Sequence, residues 1–121
     1  MKNIICSFIL GLMALSMINA QDPAKDVKKA DRLLGLYLLD TKSNKEKLIE
    51  ARKLIDAVAE DTSVSNLFKT HYTKGNIYNE LASIDNIKLV LSAKAKLENP
   101  DAALTAFESL SKAKSLAVKS Y

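Results

Sequence analysis

Between Asn66 and Leu81 the chain reads NLFKTHYTKGNIYNEL, and its ring-bearing and small positions recur at the interval of a helical turn. Phe68, His71, Gly75, Tyr78 and Ala82 follow one another three and four residues apart, which stacks them on one face of a helix. A glycine inside a helix costs on the order of 1 kcal/mol relative to alanine. Gly75 is therefore expected where a second helix comes close, with Tyr72 and Tyr78 filling the space above and below it. This central helix is predicted to run to Ser83.

The same patterning predicts helices on either side. Asp22 is a good cap, and Pro23 suits the first helical position, where its missing donor does no harm. Val27, Ala30, Leu34, Tyr37 and Leu38 then share a face, interrupted by Gly35 in the manner of Gly75. TKSN breaks the periodicity, and Ser43 with Glu46 spells a capping box for a second helix. Its buried stripe is predicted as Leu48, Ala51, Ile55 and Val58, with Leu54 beside it, so that the two helices pack as a hairpin. Thr62 or Ser63 is the expected cap of the central helix. Ile84 to Glu98 reads as a short inserted helix, capped by Asp85 or Asn86, with Ile87, Val90, Leu91 and Ala95 inward. Asn99, Pro100 and Asp101 then supply cap, proline and acid for a last helix packed through Ala103, Phe107, Leu110 and Ala117. With no alternating strand pattern, the fold class is all-α, about five helices in antiparallel hairpins.

The first 20 residues are of another kind. After Lys2, an uncharged apolar run of about 15 residues ends at Ala20, short of the roughly 20 that cross a bilayer. Residues 1–20 are read as a signal peptide and 21–121 as one helical domain, exported to the periplasm or cell envelope. Cys6 is the single cysteine and leaves with the leader, so no disulfide and no thiolate chemistry is expected after it. Lys2 leaves too, so 17 of the 18 basic residues face 14 acids, a balance too mild and too evenly mixed to argue for nucleic acid.

The helical pairs carry a resemblance. HYTKGNIY resembles the first helix of a tetratricopeptide repeat, in which an aromatic, a glycine and a tyrosine occupy set offsets. Tyr72, Gly75, Asn76, Tyr78, Ala103 and Phe107 match one repeat over 63–118, with 84–98 inserted, and Leu34, Gly35, Ala51 and Ile55 match another over 24–60. Asp31, Leu38, Lys74 and Leu110 depart from the family pattern. The whole is similar to short exported repeat proteins of Gram-negative bacteria. The resemblance implies hairpins stacked as a short right-handed superhelix, with the first helices of successive hairpins lining a groove for a protein or peptide. Carried onto this chain, that groove presents Lys69, Tyr72, Asn76 and Asn79 from the central helix and Arg32, Leu36 and Leu39 from the first.

Catalytic chemistry is sparse in the sequence. His71 is the one histidine, it lies on an apolar helical stripe, and a single imidazole makes no metal site. No glycine-rich phosphate loop or nucleophile turn is present. The reading is a non-catalytic scaffold for another envelope protein, with no cofactor, metal, nucleic acid or small-molecule substrate. The alternatives are the targeting and repeat portion of a longer envelope enzyme or transport component, and a helical protein held to the membrane by an uncleaved leader.

Overall fold

Asp22 opens the first helix as its sequence predicts. The computed structural model of the protein describes residues 22–119; the leader expected over 1–20 lies outside them. In α1, Pro23–Leu39, Asp22 is extended and its carboxylate accepts the Ala24 N–H at 3.1 Å, while Pro23 takes the first turn. Val27, Ala30, Leu33, Leu34 and Tyr37 are buried. Leu38, expected with them, is 53% exposed.

The helix ends in a tight turn closed by Asp40, whose Oδ1 accepts the backbone N–H of Lys42 at 3.2 Å and of Ser43 at 3.1 Å. Those bonds, Ser43 first, hold the Asp40 carboxyl below its ordinary range. They also take Ser43 out of the cap position. The expected capping box of Ser43 and Glu46 does not form: Asn44 stands at the cap, and its side chain donates back to the Leu36 carbonyl at 2.9 Å. In α2, Lys45–Val58, the predicted stripe of Leu48, Ala51, Ile55 and Val58 is buried, the first three completely.

Turns span the connection to the central helix. Asp61 accepts from the backbone and hydroxyl of Ser63, and Val64 plugs the core at 1% exposure. Neither Thr62 nor Ser63 is a cap; the central helix, α3, begins at Phe68 after an extended Leu67 and runs to Leu91. It does not stop at Ser83, because no glycine or proline lies between Gly75 and Pro100 to end it. The inserted helix over 84–98 is therefore absent, and the described residues hold four helices instead of five. Asp85, anticipated as a cap, is buried inside α3 at 3% exposure, where its two oxygens accept the N–H groups of Glu98 at 3.1 Å and Asn99 at 2.7 Å. One buried carboxylate thus pins the irregular segment 92–101 back onto α3. Ile87, Val90 and Leu91, expected inward, are exposed.

The last helix, α4, Ala102–Lys119, buries Ala102, Ala106, Ser109 and Ala113. The face predicted from Ala103, Phe107, Leu110 and Ala117 is turned aside: Phe107 is 70% exposed, Ala103 is exposed, and Leu110 and Ala117 are half-buried. The reason is distance. A Cβ placed on Gly75 would lie 2.5 Å from Leu110 Cγ and 3.2 Å from the Leu110 backbone nitrogen, so helices this close admit only small side chains between them. Gly35 has no such role; a Cβ there would meet nothing within 4 Å.

Side-chain pairs give the directions. Lys29 with Glu50 and Asn44 with Leu36 tie α1 antiparallel to α2; Tyr78 with Asp56 and Lys88 and Lys45 with Glu98 run α3 back along α2. α3 packs on both helices of the first hairpin and, among the described helices, α4 packs on α3 alone. The core joins Leu33, Leu34, Leu48, Ile55, Ile77 and Leu81. Central α3 thus buries two sides, Thr70, Thr73, Ile77 and Leu81 on one and Gly75 and Ala82 on the other. The hydroxyls of Thr70 and Thr73 are fully enclosed with no hydrogen-bond partner among the described residues, a state that costs about 1–3 kcal/mol per group. Among the described residues, no helix is long and apolar enough to cross a membrane.

Candidate partner-binding surface

Four of the residues expected for recognition, Lys69, Tyr72, Asn76 and Asn79, lie along the outward side of α3. Lys69, at the start of the helix, is committed: its Nζ pairs with Asp31 of α1 at 2.7 Å. Tyr72 is 45% exposed and stacks on Phe68 one turn before it, ring centroids 5.2 Å apart. It fills no space beside Gly75, contrary to the sequence expectation; Tyr78 is half-buried instead, with its phenol donating to Asp56 of α2 at 2.6 Å. Burial, and then the Asp56 carboxylate, push the Tyr78 hydroxyl up to about 12.

Tyr72 and Asn76 face α1. With Asp31, Gly35, Leu38 and Glu80 they line a shallow groove between the parallel helices α1 and α3. The bare α-carbon of Gly35 forms part of its wall. Asn79 looks the other way, into a second groove of about 420 Å³ between α3 and α4, shared with Ser83, Asn86, Ala103, Phe107 and Leu110. The four residues predicted from α3 thus divide between two grooves. From α1, the groove takes Asp31, Gly35 and Leu38 in place of Arg32, Leu36 and Leu39, which are exposed but do not line it.

Sequence reasoning missed Phe68, Ser83, Asn86 and Phe107. Tyr72, Asn76, Asn79, Ser83 and Asn86 repeat at alternating intervals of four and three, a continuous stripe along α3. Ending the helix at Ser83 cut that stripe short. Its chemistry is one ring, three amides and a hydroxyl, flanked by the apolar edge of Phe107, and these groups can bond an extended backbone or cover an amphipathic helix.

His71 is held for structure. Its Nε2 donates to the Ser65 carbonyl at 2.6 Å, fastening the α2–α3 connection to the first turn of α3. Glu60, Lys74, Glu108 and Lys112 surround it at the surface. Among the described residues, no three His, Cys, Asp or Glu side chains are grouped to hold a metal ion. At the other end of α3, Glu98 receives Lys88 and Lys45, whose hydrogen bonds, Lys88 first, hold its carboxyl below the ordinary range. Arg52 donates to the Asn99 side chain at 2.8 Å beside it.

No family model, curated protein or solved structure matches this chain.

Proposed function

We propose that the chain is a non-catalytic, tetratricopeptide-like scaffold of the cell envelope that holds a segment of another protein along the outer side of α3. The observation that carries this reading is the open groove between α3 and α4, with Asn79, Ser83 and Asn86 on one wall and a 70% exposed Phe107 on the other. On its inner side α3 rests against the α1/α2 hairpin; among the described residues no helix lies on the matching side of the α3/α4 pair. Stacked hairpins bury such a side against a neighbour, so a partner helix laid there would continue the packing. The parallel course of α1 and α3, side by side on one surface, agrees with tetratricopeptide stacking. Location in the envelope rests on the leader sequence.

A photocrosslinking amino acid at Asn79 or Phe107 in cells tests the reading. Both positions are expected to trap one and the same protein, and a third at Lys53, exposed on α2, to trap none. Ser83→Ala with Asn86→Ala, on the wall of the same groove, is expected to lower the yield of that adduct. Equal trapping at all three positions, or none, would contradict the assignment.

A further inference from the structure

One end of the molecule concentrates apolar side chains that are left exposed among the described residues. Val90 is 86% exposed, Leu91 82% and Ile87 58% at the end of α3; Leu39 is 82% and Leu38 53% exposed at the end of α1. The two sets are neighbours: Tyr37 and Thr41 line a common surface depression with Ile84, Ile87 and Lys88. Side chains this free stand proud of the surface. Ile87 borders that depression and Leu38 the α1/α3 groove, whereas Leu39, Val90 and Leu91 lie outside the grooves described above, where a protein or small ligand is usually held.

The charge around them is one-sided. Segments 38–47 and 87–98, which build this end, carry six lysines against Asp40, Glu46 and Glu98, whereas the other described residues carry eleven basic and eleven acidic side chains. The net positive charge of the described protein therefore resides at this tip. Two of its acids are already engaged, Glu98 by Lys45 and Lys88, and Asp40 by two backbone N–H groups. Lys42, Lys94 and Lys96 are exposed and follow Leu39 and Leu91 by three to five positions in the chain. The buried Asp85 anchors Glu98 and Asn99, so Lys94 and Lys96 lie on a loop tied to α3 at its far side.

We propose that this tip docks peripherally on an anionic lipid bilayer, with Leu39, Ile87, Val90 and Leu91 entering the interface and Lys42, Lys94 and Lys96 meeting lipid phosphates. Projecting apolar groups suit a fluid surface that closes around them, and lysine stems bury their methylenes while the ammonium stays at headgroup level. Each lysine beside an anionic surface is worth about five-fold in affinity. This surface lies at the end of α3, apart from the α3/α4 groove, and stands whether or not that groove holds a partner.

The chain has no tryptophan, so one introduced indole reports its own surroundings. Full-length L91W is expected to shift its emission to shorter wavelength with phosphatidylglycerol vesicles and not with phosphatidylcholine vesicles. V118W, exposed at the far end of α4, is expected to stay unchanged with both. K42Q/K94Q/K96Q in the L91W background should weaken vesicle affinity about 100-fold. The proposal is overturned if the L91W emission does not move, if it moves equally with neutral vesicles or survives the triple lysine change, or if V118W responds as strongly.

Discussion

The two hairpins of this molecule are held together by opposite means. Between α1 and α2 the buried residues are mostly large aliphatic side chains, Leu33, Leu34, Leu48 and Ile55, set beside Ala30 and Ala51, and they contribute by the apolar surface they remove from water. Between α3 and α4 the buried residues are Gly75, Ala82, Ala102, Ala106, Ser109 and Ala113, and the helices touch through backbone and the Leu110 side chain. The first hairpin is sensitive to lost volume and the second to added volume. A core face is thus recognised by what the partner helix leaves room for, and large size alone does not mark it.

The largest expected effect lies in the first hairpin. Ile55→Ala removes a fully buried side chain and should cost about 2–5 kcal/mol, read as a shift of the urea midpoint. In the second hairpin the sensitive change is enlargement: Ala106→Leu should cost about 1–3 kcal/mol by overpacking. Phe107→Ala, one residue on, should change stability by less than about 0.5 kcal/mol because the ring is at the surface. A large loss from Phe107→Ala would restore the face predicted from sequence.

A smaller effect of the opposite sign is expected where α3 meets the first hairpin. Thr73→Val replaces an enclosed, unbonded hydroxyl by a methyl of like shape and should raise stability by about 1 kcal/mol, or roughly 4–8 °C in melting temperature. The smallest is a matter of pH. The Tyr78 phenol rises from an ordinary 10 to about 12 in the fold, so the folded protein holds this proton more tightly than the unfolded chain. Its contribution is fully present below pH 10 and is lost as pH climbs to about 12. Urea midpoints across that window should fall less steeply for Tyr78→Phe than for the parent chain.

The all-helical class and the first hairpin were legible in the residues. Asp22 and Pro23 mark a start, and Leu48, Ala51, Ile55 and Val58 mark a buried stripe, by rules that act within one helix. The remainder depended on what lay across from each helix. Phe107 looked like core by size, and only the close approach at Gly75 turns α4 to present its alanines. α3 buries two sides, so the one stripe of Phe68, His71, Gly75, Tyr78 and Ala82 does not mark its end, which lies at Leu91 and not at Ser83. The capping box failed because Asp40 competes for Ser43, an interaction across the turn that the box pattern omits. In the candidate surface, Tyr72, Asn76 and Asn79 were legible by spacing. Their division between two grooves follows from where α1 and α4 sit, and so does the replacement of Arg32, Leu36 and Leu39 by Asp31, Gly35 and Leu38.

The contrast between the hairpins is tested most directly by changing their two glycines to alanine and measuring unfolding by urea. Gly35→Ala adds a methyl where nothing lies within 4 Å and should gain up to about 1 kcal/mol from helix propensity. Gly75→Ala drives its methyl against Leu110 and should lose about 1 kcal/mol or more in spite of the same propensity gain. Opposite signs are the predicted result; equal stabilisation by both would contradict the close approach on which the second hairpin depends.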